Sequence, residues 1–425
     1  MTAGDIHRTI RAVWRIEQAR LIAGLARIVR DVGLAEELAQ DALVTALERW
    51  PDAGVPDNPG AWLMAVARRR AIDVVRRGKM LDRKHQELGR ELEALQDEPG
   101  PDLEAALDDD IGDDLLRLMF TACHPVLSTE ARVALTLRLV GGLTTEEIAR
   151  AFLVPEPTVA QRIVRAKRTL AEARVPFEVP REAERGERLA SVLGVVYLIF
   201  NEGYAATAGE DLMRPALCDE ALRLGRILAG LAPREPEVHG LVALMEIQAS
   251  RTGARTGPEG EPILLADQNR SRWDQLLIRR GLAALEAAQD KAQETGRPLG
   301  PYALQAAIAA CHARARSADQ TDWRRIAALY DALAAVAPTP VVELNRAVAV
   351  SMAFGPAAGL PLIEALDAEP ALRGYHLLPA VHGDVLERLG RLGEARAAFE
   401  RAAGLARNAR ERELLLGRAA KTLRS

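Results

Sequence analysis

The stretch from Gly142 to Leu170 reads GLTTEEIARAFLVPEPTVAQRIVRAKRTL, two short helical patterns on either side of a turn. Pro157 occupies a position suited to the first turn of the second helix, where its missing N–H costs nothing. The apolar residues of that helix recur at helical spacing and are predicted to face inward: Val159, Ile163, Ala166 and Leu170. A short helix with outward amide and guanidinium groups, braced by a preceding helix, is the geometry of a helix-turn-helix that enters the major groove of DNA.

The composition predicts an all-α protein. At 425 residues the chain is too long for one ordinary core, and roughly two to four domains are expected. Only 4% of the residues are aromatic, and β-branched runs are short. The formal net charge is −4, so a nucleic-acid surface would have to be a local basic patch on an acidic body.

The cysteines and the apolar runs indicate a soluble, cytoplasmic protein. Cys123, Cys218 and Cys311 are far apart, and their odd number excludes a fully paired disulfide framework. We therefore expect them to be buried thiols in a reducing compartment. The chain shows no leader pattern and no apolar run of about 18 residues, so no membrane association is expected.

Breaks in the pattern divide the chain into four parts. Residues 8–79 form a first helical unit, with Gly33 as the predicted stop of its first helix and Arg77 near the end of its third. Residues 80–112 form an acidic linker, and residues 113–174 form a second helical unit that ends in the helix-turn-helix. Residues 182–425 are predicted to form a larger helical domain.

Two stretches of this last domain look like degenerate helical hairpins, 323–366 and 374–407. Residues 390–402 resemble the second helix of a tetratricopeptide repeat, a unit that stacks because one hairpin cannot bury its own apolar face. Two other segments, 201–204 and 267–274, are dense in polar groups. They would form a contact surface or ligand pocket, or simply interhelical hydrogen bonds and caps.

Residues 61–77 read AWLMAVARRRAIDVVRR and carry a second informative pattern. Between Arg68 and Lys84 lie six arginines and two lysines against two aspartates, a local charge of +6. Such a cluster can neutralise phosphates and give salt-dependent affinity for nucleic acid. A solvated charged helix face is the alternative, but the neighbouring Trp62 and apolar stripe favour nucleic acid.

The order of these features is similar to that of one protein family. A helix ending in Glu-Arg-Trp is followed by a proline-rich loop, the Trp-Leu helix with its arginine-rich end, the acidic linker and the helix-turn-helix. This order resembles the extracytoplasmic-function branch of the bacterial σ70 factors over roughly residues 8–174. The resemblance implies two small helical domains, σ2 and σ4, and the remainder resembles the tetratricopeptide-like extension of a σ subgroup.

The resemblance also implies contact residues on three helices. Those implied to bind the β′ clamp of RNA polymerase are Glu36, Glu37, Leu38, Gln40, Asp41 and Leu43. Those implied to melt and read the −10 promoter element are Trp62, Arg68, Arg69, Arg70, Asp73, Arg76 and Arg77. Those implied to read the −35 element are Thr158, Gln161, Arg162, Arg165, Lys167 and Arg168. At the turn, Leu153 stands where many members have glycine, so we expect this turn to avoid left-handed backbone.

These patterns predict an alternative σ factor with no catalytic residues, cofactor or metal. Its expected partners are core RNA polymerase, through the β′ clamp and β flap, and promoter DNA. The C-terminal domain is expected to modulate activity by packing on the σ domains or by binding a protein partner.

Two other classes of protein stay open. One is a helix-turn-helix regulator with a helical-repeat sensor domain, which would not bind core polymerase in the absence of DNA. The other is an enzyme or ligand-binding protein whose chemistry lies in residues 190–420. Specific affinity of that region for a small molecule would favour it.

Overall fold

The computed structural model describes residues 3–89, 111–206, 212–258 and 260–422. These ranges form α-helices and short 3₁₀ helices, with one isolated β-bridge between Thr256 and Pro262, so the predicted all-α fold is confirmed. The chain divides into two compact units, Met1–Val195 and Val196–Ser425. Within the described ranges, the apolar stretches of the helices all fall short of what a membrane span requires.

The described residues of the first unit form seven complete helices and the start of an eighth. They are α1 (Ala3–Val29), α2 (Val32–Ala53), α3 (Pro59–Gly89), α4 (Ile111–Ala122), α5 (Thr129–Leu139), α6 (Thr145–Phe152), α7 (Glu156–Glu172) and α8 (Glu182–Tyr204). Helix α1 packs against α2, α3 and α4, and α7 packs against α5 and α6. Apolar residues at helical spacing on α1, such as Leu21, Ile22 and Leu25, are fully buried and form the centre of this core.

The break between α1 and α2 differs from the prediction. Helix α1 ends at Val29, and Arg30 takes a left-handed conformation with φ 55°. Asp31 then caps α2, because its carboxylate accepts hydrogen bonds from the N–H groups of Gly33 at 2.7 Å and Leu34 at 2.9 Å. Gly33 therefore lies in the first turn of α2, and the prediction that it stops α1 is wrong.

Helix α3 is longer than predicted, since it continues past Gly78 to Gly89. A glycine inside a helix costs only about 1 kcal/mol relative to alanine, and good helix formers such as Lys79, Met80 and Leu81 follow it. The first part of the expected linker, 80–89, is thus helical. Its acidic part, residues 90–110, lies outside the described residues.

The start of α8 belongs to the first unit. Arg188 donates to the carbonyl of Phe120 at 2.9 Å, and the Ser191 hydroxyl donates to the carbonyl of Cys123 at 2.6 Å. Arg132 of α5 donates to the Ser191 hydroxyl at 2.7 Å. The unit therefore extends beyond residue 174 to Val195, and a truncation near residue 180 would remove contacts that support α4 and α5.

In the second unit, the part of the chain that the structure describes continues with ten further α-helices. They are α9 (Pro215–Leu231), α10 (Pro236–Ala249), α11 (Gln275–Thr295), α12 (Pro301–Arg314), α13 (Trp323–Val336), α14 (Pro340–Phe354), α15 (Pro356–Leu366), α16 (Leu377–Arg388), α17 (Leu392–Leu405) and α18 (Ala409–Lys421). Helix α10 packs against α9, α11 and α12, and from α12 onward each helix packs against the next. This packing of neighbour on neighbour is typical of stacked helical hairpins.

The two stretches predicted as hairpins differ from each other. Residues 374–407 contain one hairpin, α16 and α17, in which Gly383 lies so close to Phe399 that an added Cβ would stand 2.7 Å from the ring. Gly390 makes the turn with φ 76°, a conformation that favours glycine. Residues 323–366 instead hold three helices, α13, α14 and α15.

Candidate nucleic-acid interface

Helix α6 and the start of α7 form the predicted helix-turn-helix. Thr144 caps α6, because its hydroxyl accepts from the Glu147 N–H at 3.1 Å while the Glu147 carboxylate accepts from the Thr144 N–H at 2.8 Å. Ile148 and Ala149 turn inward. Helix α7 starts at Glu156 with Pro157 in its first turn, as predicted.

The turn between the two helices corrects the expectation for Leu153. This residue has φ 52° and ψ 41°, which is left-handed backbone, and its side chain is 57% exposed. The N–H of Val154 donates to the Ala149 carbonyl at 3.1 Å, and the N–H of Leu153 to the Arg150 carbonyl at 3.4 Å. These two bonds satisfy carbonyls at the end of α6. They offset the steric cost of a left-handed leucine, about 1–2 kcal/mol.

Helix α7 divides into an inward and an outward face. The four residues predicted to face inward are all buried: Val159, Ile163, Ala166 and Leu170. Thr158, Gln161 and Arg165 are exposed, and Arg162 beside them is half-buried. Arg168 is also exposed and pairs with Glu172 one turn later at 2.6 Å. Five of the six residues implied to read the −35 element therefore lie on or beside the outward face.

Lys167, the sixth, lies against α2. Its Nζ forms an ion pair with Glu36, whose carboxylate also accepts from Arg138 Nε at 2.7 Å. Gln40 donates to the same carboxylate at 2.8 Å, and Glu36 is only 3% exposed. A residue implied to bind polymerase and one implied to bind DNA thus contact each other. We call Glu36, Arg138 and Lys167 the interhelix bridge.

The other residues of α2 implied to bind polymerase separate by exposure. Glu37 and Asp41 are exposed, Gln40 and Leu43 are half-buried, and Leu38 is buried in the core.

The outward face of α2 also includes residues that the sequence analysis missed. Val44 is 51% exposed, Leu47 is 37% exposed, and Glu48 is exposed. Because residues 37, 41, 44 and 48 recur at helical spacing, the period of α2 could have revealed this acidic and apolar stripe.

Helix α3 presents its arginines unevenly. Arg69, Asp73, Arg76 and Arg77 are exposed and recur on one side of the helix, and Arg68 is half-buried. Their arginines form a basic surface within residues 68–84, the segment that has a local charge of +6.

Two residues implied to read the −10 element instead join α3 to α2. Arg70 donates to Asp41 at 2.9 Å and to the Thr45 hydroxyl at 3.1 Å. The ring of Trp62 packs edge-on against Trp50, with ring centroids 5.3 Å apart. Trp50 is buried, so this pair of rings holds the start of α3 against α2.

Family profiles match three parts of the chain. The profile of σ70 region 2 matches residues 14–80, and that of σ70 region 4 matches residues 117–170. Residues 188–289 match a family of unknown function, DUF6596. The two σ profiles therefore cover α1 to α3 and α4 to α7, the helices that carry the outward faces described above.

Three relatives show how far the similarity extends. An uncharacterized protein of Rhizobium meliloti, R00370, is 46% identical over 391 residues, which is 92% of this chain and 90% of the relative. The probable ECF RNA polymerase sigma factor SigI of Mycobacterium tuberculosis is 27% identical over 41% of this chain and 58% of the relative.

The third relative is a σ factor that aligns with this chain over most of its own length. The ECF RNA polymerase sigma factor SigK of Mycobacterium tuberculosis is 31% identical over 157 residues, 36% of this chain and 79% of the relative. Both σ regions are present in the expected order, and they precede a larger helical region. The chain therefore belongs to the extracytoplasmic-function sigma factors, alternative σ factors that direct transcription initiation and are transcription regulators rather than catalytic enzymes.

Proposed function

We propose that this chain binds core RNA polymerase through α2 and reads promoter DNA at two elements through α3 and α7. The observation that carries the proposal is the pair of outward polar faces on α3 and α7. Arg69 and Arg76 lie on the first, and Gln161 and Arg165 on the second. Each lies in a separate σ region, so one chain can contact two promoter elements.

The polymerase contact is assigned to the stripe formed by Glu37, Asp41, Val44, Leu47 and Glu48. Acidic and apolar side chains lie side by side there on an exposed helix face. Such a face is complementary to a basic coiled coil like that of the β′ clamp, and complementary charge raises the rate of encounter. A second contact, between the σ4 region and the β flap, follows from the family resemblance.

The side chains of α7 and α3 are suited to different parts of the DNA. On α7, Gln161 and Arg165 suit base edges, because Gln pairs with adenine and Arg with guanine. On α3, Arg69, Arg76 and Arg77 suit the phosphates of a melted strand. Trp62 would keep the start of α3 in place against α2, through its ring contact with Trp50.

The interhelix bridge would have to open before Glu36 or Lys167 could contact polymerase or DNA. Glu36 and Lys167 cannot contact polymerase or DNA while they contact each other. Binding would therefore separate α2 from α5 and α7. The bridge would be exchanged for contacts with polymerase and promoter, and it would disfavour DNA binding by the free σ factor.

In-vitro transcription with core polymerase and the full-length chain tests this function. We expect promoter-specific transcripts, and we expect their loss with Arg165→Ala and with Glu37→Lys. Matched controls are Arg280→Ala and Glu286→Lys, which change exposed residues of α11 in the second unit. If the controls reduce transcription as much as the test variants, the assigned faces are wrong.

Binding to core polymerase without DNA decides between a σ factor and a simple regulator. The proposal expects a stable complex in which Glu37→Lys binds more weakly than Glu286→Lys. A chain that binds promoter fragments alone and shows no affinity for the core enzyme would instead be a helix-turn-helix regulator with a sensor domain. We further propose that the C-terminal helical domain modulates activity. A change in transcription caused by a variant of a buried residue of the second unit, with Arg280→Ala and Glu286→Lys unchanged, would support this.

A further inference from the structure

The second unit contains a cavity of about 270 Å³ between α8, α10, α12 and α13. Its volume equals that of about nine water molecules in the liquid. Aromatic rings form much of its wall, among them Tyr197, Tyr204 and Tyr330. A few polar side chains converge on it, among them Asn201, Arg251 and His312. Aromatic walls with a few placed polar groups are typical of small-molecule sites.

Arg251 gives this cavity a positive charge. Among the described residues its guanidinium donates to two neutral amides, Gln248 at 3.2 Å and Gln268 at 3.3 Å. Among the described residues no carboxylate lies within ion-pair distance of it, and the residues lining the cavity include neither aspartate nor glutamate. Burial lowers the pKa of Arg251, which shows that its charge is poorly solvated.

Two more arginines contact residues that line the cavity, and they add to the positive charge near it. The guanidinium of Arg255 lies 3.7 Å from the ring centroid of Tyr204. Arg270 donates to the carbonyls of His312 and Ala315, the latter at 2.8 Å. An oxyanion in the cavity would therefore face a hydrogen-bond donor that carries a full charge, with two further cations close by.

Two polar atoms at the cavity have no hydrogen-bond partner among the described residues. One is Nδ1 of His312, a side chain that is only 9% exposed, and the other is the buried hydroxyl of Tyr204. Burial and the neighbouring cations Arg251 and Arg270 lower the pKa of His312 to about 4, so the imidazole is neutral at pH 7. A buried polar group left unpaired is costly, and a bound ligand would supply the missing partners.

We propose that this cavity binds a small organic anion, with a carboxylate or phosphate on Arg251 and its body against the rings of Tyr197, Tyr204 and Tyr330. His312 Nδ1 and the Tyr204 hydroxyl bind further polar atoms of the ligand. This site goes beyond promoter recognition and does not depend on it. It assigns a role to the polar segments 201–204 and 267–274, since the first lines the cavity and Gln268 of the second holds Arg251.

Calorimetric titration of the full-length protein with three probes tests the site. Benzoate and phenyl phosphate carry the two oxyanions on one aromatic ring, and benzyl alcohol is their neutral counterpart. We expect saturable binding, at one site per chain, of benzoate, of phenyl phosphate or of both, and which of them binds identifies the oxyanion. Benzyl alcohol should bind at least about tenfold more weakly, because charge-assisted hydrogen bonds are stronger than neutral ones.

Arg251→Gln tests the cation and should weaken binding roughly 10- to 100-fold. Its matched control, Arg280→Gln, removes an exposed arginine from α11 and should leave affinity unchanged. Ala309→Leu, at a buried position of the wall, should weaken binding because the larger side chain occupies part of the cavity. Because it keeps Arg251, it still tests the site if Arg251→Gln does not fold.

Three results would overturn the proposal. They are the absence of saturable binding of both anions at millimolar concentration, equal binding of benzyl alcohol, and full affinity in a folded Ala309→Leu variant. None of these results depends on transcription, so failure of the site and failure of the promoter-reading function are separate outcomes.

Discussion

Two sets of arginines in this protein, one in each unit, have opposite roles. In the first unit, Arg69 and Arg76 on α3 and Arg165 on α7 extend into solvent. In the second, Arg251 and Arg270 turn inward, each over the ring of Trp273, with centroid distances of 5.5 Å and 5.0 Å. Outward arginines are free to neutralise phosphates, whereas inward ones bind the fold together or face a cavity.

The comparison shows that a count of charges along the sequence reveals the outward arginines but not the inward ones. The chain as a whole has a net charge of −4, yet the basic segment of α3 stands apart in the sequence because its arginines are adjacent. Arg251 and Arg270 lie 19 residues apart, and neither belongs to so dense a basic run. Their role is visible only from the acceptors and rings that surround them.

Arg270→Ala should have the largest effect on stability. Its guanidinium binds the carbonyls of His312 and Ala315 and the hydroxyl of Thr321, so the substitution leaves these acceptors without their donor. We expect a loss of about 3 kcal/mol in the free energy of unfolding. Chemical denaturation measures it. Arg280→Ala is the control and should change stability by less than about 0.5 kcal/mol.

His312 should make the second unit less stable at acidic pH. Burial, with Arg251 and Arg270 nearby, lowers its pKa from 6.5 to about 4. Between these values the unfolded chain binds a proton that the folded chain does not. Stability from this group is therefore complete above pH 6.5 and falls as the pH drops toward 4. The full loss is up to about 3 kcal/mol.

Urea denaturation at a series of pH values between neutral and acidic measures this slope. His312→Gln should remove it, while His239→Gln, on the same unit, should retain it. An unchanged slope in His312→Gln would show that the imidazole is not held neutral by its surroundings.

The interhelix bridge should be stronger than an exposed ion pair. In a double-mutant cycle, Glu36→Gln and Lys167→Met should show a coupling of about 1–2 kcal/mol, because Glu36 is buried. The matched control is the exposed pair of Arg168 and Glu172, for which a much smaller coupling is expected because water screens both charges. Additive effects of Glu36→Gln and Lys167→Met would mean that the bridge does not hold α2 to α7 in solution.

Leu153→Gly should have the smallest effect, a gain in stability of about 0.5–1 kcal/mol. Glycine relieves the left-handed strain but loses more conformational entropy on folding. Thermal unfolding measures the change, and Leu153→Ala serves as the control because alanine keeps the strain. A loss of stability in Leu153→Gly alone would show that the leucine side chain stabilises the turn.

Local periodicity explains which features could be predicted from the sequence. The inward face of α7, the first-turn position of Pro157 and the outward position of Gln161 follow from helical spacing, and the structure has them as predicted. Spacing within one helix does not reveal contacts between distant segments. From the sequence, Glu36 is expected to be one more exposed acid of α2. Its two cation partners lie 102 and 131 residues away along the chain, at positions 138 and 167.

Two local features were missed for another reason. The sequence suggested that a leucine would avoid left-handed backbone and that Gly33 would end α1. In the structure, hydrogen bonds from Leu153 and Val154 to the end of α6 outweigh the steric cost. Likewise, the cap formed by Asp31 determines where α2 begins. In both places a hydrogen-bonded helix end overrides the propensity of a single residue.

The most direct test of the central claim is the affinity of holoenzyme for promoter DNA as a function of salt. Arg76→Gln and Arg165→Ala should each weaken binding by about 1–3 kcal/mol, and Arg76→Gln should lower the salt slope by about one. Arg251→Gln, which removes an inward arginine, should leave both quantities unchanged. Equal losses in all three variants, or none in the first two, would contradict the claim that the outward faces of α3 and α7 read the promoter.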